Sequence, residues 1–212
     1  MSIIQEFFAN IHNLDHLIRW GGYLLLVIVV FSETGLLAGF FLPGDSLLVT
    51  AGLLAAVDHI LNIYVLLILL SAAAIVGDTV GYWIGYHLGP KVFSRNDSFF
   101  FHRDHLSRAQ KFYEKYGAKT IILARFVPIV RTFAPTIAGV GKMKYSKFLA
   151  YNVVGGIVWV LSMTLTGYLL GNSIPGIEKK IHWVILVVIF LSFLPIVKEV
   201  IAHRLAKNNA VR

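Results

Sequence analysis

The chain contains no cysteine. Disulfides, thiol nucleophiles and cysteine-ligated metal sites are therefore excluded, although this alone does not fix the compartment. Charge is also scarce. Asp, Glu, Lys and Arg make up 14% of the 212 residues, against about 25% in a soluble domain. No Lys or Arg precedes Arg19, so the basic opening of a secretory signal peptide is missing. There is no phosphate-cradling Gly-rich loop, no HExxH and no GxSxG. Without a nucleophile-plus-base set, the chain is not expected to be an enzyme, and no cofactor is expected. His102 and His105 have no further ligand at metal spacing, so no metal is expected either.

What is abundant is apolar surface. Hydrophobic residues make up 57% and the mean hydropathy is +0.73. The excess falls into blocks of the length a bilayer demands, roughly 20 residues per helical span. The chain reads as one all-α, multi-pass membrane domain with membrane lipid as its surroundings. Its net charge of +8 comes from 19 basic and 11 acidic residues. Most of the basic residues lie between or after apolar blocks, the pattern of cytoplasmic loops, so nucleic acid is not expected as a partner.

Residues 1–20 alternate apolar and polar positions at spacings of three and four, which predicts an amphipathic helix at the interface or packed on the protein. An apolar block at 21–57 is interrupted by Glu33, Gly35, Gly39 and the turn Pro43-Gly44. A full span is expected at 60–88, then a basic loop at 89–119 with a short amphipathic helix in its second half. The segment 120–141 is broken by Pro128, Pro135 and Gly139 and carries Arg125 and Arg131. Spans at 148–170 and 182–203 follow, the latter running into a basic tail.

An imperfect duplication is visible. Gly85-Tyr86 and Gly89 recur as Gly167-Tyr168 and Gly171, each set preceded by a tyrosine, Tyr64 or Tyr145. Each half reads as a broken segment and then a full span, and paired broken segments point to a transporter site. If the loop 89–119 is cytoplasmic, a crossing at 120–141 would put Lys142, Lys144, Lys147 and the basic tail outside. A segment that enters and returns keeps them inside, with the C-terminus cytoplasmic. The expected fold is an inverted repeat of re-entrant helical hairpin plus transmembrane helix, flanked by the N-terminal amphipathic helix and a C-terminal transmembrane helix. Such irregular backbone must be shielded by protein or line a wet cavity.

Charges inside such segments cost about 2.5–3.5 kcal/mol each. Glu33, Asp45, Asp78, Arg125 and Arg131 lie in or beside them. Pairing Glu33 or Asp45 with Arg125 or Arg131 would offset the cost, as a functional site or as a structural clamp. Asp45 follows Pro43-Gly44 and is placed to cap a helix. On an unbroken helix Arg125 and Arg131 would point about 240° apart, but a break at Pro128 turns both toward one pocket. Two guanidiniums suit phosphate or carboxylate better than a metal, and Thr132 and Thr136 add hydroxyls. Asp78 is read as a proton relay or a helix-to-helix bond. Gly77, Gly81, Gly85 and Gly89 recur every four residues as a close-packing face. Trp83, Trp159, Trp183, Tyr82 and Tyr168 are read as interface anchors or packing residues.

Three stretches carry a family likeness: Glu33-Thr-Gly35, Phe41-Leu-Pro43-Gly44-Asp45-Ser46, and Ala124-Arg125-Phe126 through Pro128, Arg131-Thr132 and Pro135 to Gly139, with Tyr151-Asn152 and Trp159 following. They resemble the DedA family of bacterial inner-membrane proteins, which shares its VTT domain with eukaryotic lipid scramblases. The resemblance implies two opposed re-entrant hairpins. It also implies movement of polyprenyl phosphate (undecaprenyl phosphate) between leaflets of the inner membrane, with protons as the coupling ion. Arg125, Arg131 and Thr132 would then bind substrate, and Glu33, Asp45 and Asp78 would exchange protons. The residues read without the family reach only an anion-handling membrane transporter. A proton-coupled small-ion antiporter, a non-transporting scaffold for envelope or division proteins and a membrane phosphatase compete with it, and homo-oligomerisation is left open.

Overall fold

The computed structural model describes residues 14–36, 44–57, 61–92 and 119–174. The segment 1–13, the greater part of the basic loop and the whole of the expected span at 182–203 with its tail lie outside the described residues. Within them every regular element is a helix: α1 (Leu14–Gly35), α2 (Gly44–Val57), α3 (Ile63–Val92), α4 (Lys119–Ala124), α5 (Pro128–Val140) and α6 (Tyr145–Ser173). Among the described residues three stretches are long and apolar enough to cross a membrane, Ile18–Gly35, Ile63–Leu88 and Tyr145–Ser173.

Local chemistry sets the boundaries. α1 kinks at Gly22, whose φ of 52° favours glycine; the kink falls where the amphipathic segment meets the first apolar block. Asn62 starts α3 by accepting hydrogen bonds at Oδ1 from the N–H groups of Tyr64 (2.9 Å) and Val65 (3.3 Å). Pro128 is the first residue of α5, where its missing N–H costs nothing, and Val127 before it is extended. Pro135 and Gly139 do not break the segment as expected; both lie inside α5. A proline is tolerated within membrane helices because neighbouring groups re-satisfy the backbone. α5 turns into α6 through Lys142 at φ 51°, and the Tyr82 hydroxyl donates to the Met143 carbonyl in this turn at 2.5 Å. The two central spans differ from expectation at their ends. α3 begins a few residues later than 60 and runs into the loop's first residues, and α6 starts at Tyr145 rather than 148.

α2 packs chiefly on α6 and α5 on α3, while α1 lies on α3 and α4 on α6. The main apolar core gathers Leu26, Leu48, Leu53, Leu66, Leu70 and Trp159 from α1, α2, α3 and α6. A smaller one holds Tyr82, Ile121, Ala138 and Phe148. Tyr82 is therefore a packing residue, stacked on Phe148 at 4.6 Å between ring centres. Apolar side chains such as Leu24, Ile28, Ile68 and Leu169 face outward, as a lipid-facing surface requires.

Two helix crossings share one geometry. A methyl group on Gly52 would strike the Thr164 carbonyl, and one on Gly167 the Val49 carbonyl, where α2 meets α6. Where α5 meets α3, a methyl on Gly139 would strike the Tyr82 carbonyl, and one on Gly85 the Thr136 carbonyl. Backbones approach this closely only across glycine. The glycine row of α3 serves two neighbours, Gly77 lying against Thr34 and Gly35 of α1 and Gly85 against α5.

Candidate functional site

The broken segments deliver charged side chains to the interior. α1 ends with Glu33 two residues before its last, and α2 opens with Asp45 in its first turn. After α4 the chain tightens through bonds from the N–H groups of Arg125, Phe126 and Val127 to carbonyls three residues back. α5 then carries Arg131 in its first turn, and the Arg131 N–H to Val127 carbonyl bond of 2.9 Å closes that turn.

Glu33, Asp78, Arg125, Arg131 and Thr132 are all buried, at most 7% exposed. An unpaired charge so placed would be prohibitively costly, and the structure pairs them. Arg131 donates from Nη1 to Asp45 Oδ1 at 2.5 Å and from Nη2 to Glu33 Oε1. Arg125 donates from Nη2 to Asp78 Oδ2 and to Asn152 Oδ1. Asn152 is held in turn, its Nδ2 donating to the Ile75 carbonyl at 3.0 Å. Its neighbours Gly155 and Gly156 leave room for the Arg125 side chain. Trp159 donates from Nε1 to Asp45 Oδ1 at 2.9 Å, and its ring lies 4.8 Å from Arg131 Cζ, a cation–π distance.

These contacts assign the partners that the sequence left open. Arg125 bonds to α3 and α6 in one cluster, while Arg131 in the adjacent one bonds to α1 and α2 and lies on the Trp159 ring of α6. Asp45 lies in the first turn of α2 and its carboxylate binds Arg131 and Trp159, so the expected pairing of Glu33 and Asp45 with an arginine holds, with Arg131 as the partner of both. Of the two readings of Trp159 the packing one holds, since it is buried in the main core, and its Nε1–H also reaches Asp45. Asn152 was missed as a site residue. A polar amide in the middle of an apolar span was the available signal, since such a side chain needs a partner. Thr132 is buried beside Arg131 in sequence and already has a partner of its own.

The two clusters together hold three carboxylates and two guanidiniums, one negative charge in excess when all are ionised. Glu33 Oε2 and the Nε atoms of Arg125 and Arg131 are buried without a hydrogen-bond partner. Glu33 Oε2 lies against the Gly44 backbone, where any side chain at position 44 would collide with it. Among the described residues no group of three His, Cys, Asp or Glu side chains is arranged to hold a metal ion.

The VTT domain model matches residues 42–169, which include every residue of the two clusters except Glu33. The chain is 49% identical over 191 residues to protein DedA of Escherichia coli strain K12, covering 90% of this chain and 87% of that protein. It is 45% identical over 186 residues to an uncharacterized membrane protein of Mycobacterium tuberculosis, covering 87% and 81%. To the inner membrane protein YqjA of E. coli K12 it is 36% identical over 151 residues, covering 71% and 68%. No solved structure matches. A VTT domain over more than half of the length, and near half identity to DedA along nine-tenths of it, make this chain a membrane protein of the DedA family.

Proposed function

We propose that the protein translocates a polyprenyl phosphate of the undecaprenyl phosphate class between the leaflets of the bacterial inner membrane, coupled to protons, as a transporter and not an enzyme. The observation that carries this is Arg131, a buried guanidinium shared between two carboxylates and backed by an aromatic ring. A guanidinium fork matches phosphate as well as it matches carboxylate. Phosphate and carboxylate therefore compete for the same donors. A cluster that already carries an excess negative charge takes up phosphate only if protons arrive with it or a carboxylate withdraws. Substrate and proton uptake are thereby linked at one residue. Arg125 and Thr132 extend the anion site, and Asp78 supplies a second exchangeable carboxylate.

The membrane arrangement is part of the same proposal. α1 has the length and apolarity to cross the membrane over Ile18–Gly35, but its kink at Gly22 leaves an arm of about 20 Å beyond it, and α2 is about 21 Å long, at 1.5 Å per residue. α5 is of similar length. Each falls short of the roughly 30 Å hydrocarbon core, whereas α3 and α6 exceed it. The helix pairs α1–α2 and α4–α5 are thus read as re-entrant hairpins. The two matching glycine crossings support reading the halves as an inverted repeat, and the same reading puts the C-terminus on the cytoplasmic side.

The excess carboxylate also favours a second reading, a proton-coupled antiporter of small cations that needs no phosphate. Flux of a labelled polyprenyl phosphate across vesicles holding the purified protein separates the two. Transport that depends on Arg131 and on a proton gradient is expected. Cation exchange with no lipid-phosphate flux would replace the first reading with the second.

A further inference from the structure

We propose that when phosphate binds, Glu33 is the carboxylate that leaves Arg131, that Asp45 stays, and that Trp159 is the positioning residue that keeps Asp45 in place. This rests on the phosphate reading above and adds which edge of the guanidinium the phosphate takes.

The two carboxylates are held unequally. Asp45 Oδ1 accepts from Arg131 Nη1 at 2.5 Å and from Trp159 Nε1 at 2.9 Å. It also lies in the first turn of α2, where the helix dipole favours an anion. Trp159 is fully buried and its ring lies against the guanidinium it helps to serve. Glu33 meets Arg131 through a single bond, Oε1 to Nη2.

The edge on which Glu33 sits is poorly used. Nε–H and Nη2–H form the side fork of a guanidinium, and a well-seated oxyanion takes both donors. Glu33 takes one. Arg131 Nε is buried without a hydrogen-bond partner, and Glu33 Oε2, which takes nothing from Arg131, has only the Gly44 backbone beside it. A phosphate on that edge would satisfy Nε–H and Nη2–H together while Nη1 keeps Asp45. The side chain of Glu33 need not travel far. Its free oxygen already lies against Gly44, beside the positive end of α2. Among the described residues the charged groups that act on Glu33 are Asp45 on α2 and Arg131 on α5; Asp78 on α3 and Arg125, just past α4, lie in the neighbouring cluster. The last two are engaged with each other.

The test is binding of a short-chain alkyl phosphate to the detergent-purified protein by calorimetry, with monodispersity and melting temperature checked for each variant. Removing either carboxylate lowers the negative charge beside Arg131, so the difference between the two variants is what counts. Glu33→Gln is expected to bind about tenfold tighter than Asp45→Asn, because only the former removes the competitor for the phosphate edge. In a Trp159→Phe background, which keeps a ring but deletes the N–H, that gap should close, since Asp45 is then held little better than Glu33. Equal affinities, a reversed order, or a gap indifferent to Trp159→Phe would each overturn the proposal. If the Trp159→Phe protein does not fold, the comparison of the two carboxylate variants decides alone. An Arg131→Lys protein that binds as well as wild type would sink the phosphate reading itself. Failure of every protein to bind the alkyl phosphate would sink both.

Discussion

Arg131→Met tests whether the buried charges are a working site or only a clamp. The substitution keeps a long side chain but removes both charge-assisted bonds, to Asp45 and to Glu33. Glu33 is then left buried and Asp45 partly buried, Asp45 with the Trp159 N–H, Glu33 with the Gly44 backbone, and neither with a countercharge. Breaking a buried pair by removing one partner costs about 3–5 kcal/mol. Against a total of roughly 5–15 kcal/mol for a folded protein, that loss should lower abundance in the membrane and melting temperature in detergent. Neutralising all three groups is a different perturbation. In Glu33→Gln/Asp45→Asn/Arg131→Met no charge is stranded, and the amide at position 45 still offers an oxygen to Trp159. Replacing a whole buried ion group by neutral side chains of similar volume is often close to neutral, so most of the lost stability should return. Transport of polyprenyl phosphate should not. The assay pairs melting by fluorescence-detected size exclusion with lipid-phosphate flux in vesicles. A triple variant as unstable as Arg131→Met would show that stranded charge is not what destabilises the single variant. A triple variant that still transports would show that the phosphate does not pass through this cluster.

Gly52→Ala and Gly139→Ala should each destabilise by about 1–3 kcal/mol, because the added methyl meets the carbonyl of Thr164 or Tyr82 across a helix crossing. Gly81→Ala, whose nearest neighbours would lie 3.4–3.6 Å away, should cost less in the same melting assay. Asn152→Leu should cost roughly 1.5–3 kcal/mol by removing the acceptor of Arg125. Thr79→Val removes only a 3.5 Å contact to Asn152 and a bond within its own helix, so its melting temperature should fall less. The re-entrant reading of α4 and α5 predicts that Lys144→Cys reacts with an impermeant thiol reagent from the side of the loop 89–119. The background is clean because the chain has no cysteine of its own, and labelling from the opposite side alone would exclude that reading.

The class of this protein and its cast of charged residues are legible in the residues alone. Apolar blocks of bilayer length can only be helices, because lipid offers no partner to an open backbone. Ionisable groups inside such blocks are too costly to be incidental, which is why Glu33, Asp45, Asp78, Arg125 and Arg131 stood out before any coordinates. Gly44 and Pro128 are legible as punctuation for the same local reasons that place them at helix starts, whereas the kink at Gly22 carries no such signal. Pro135 was misread because a single proline does not end a helix whose neighbours supply the missing contacts. Who pairs with whom follows instead from how the helices pack. Arg131 takes Glu33 and Asp45 from segments 98 and 86 positions away, while Arg125 takes Asp78 and Asn152. Nothing in local propensity distinguishes these partners, since pairing is set by which helices cross, and the crossings are set by glycines packing against distant carbonyls. Trp159 and Asn152 stayed hidden for that reason. An indole or an amide in an apolar span signals a need for a partner, but which partner it meets depends on the helix brought against it.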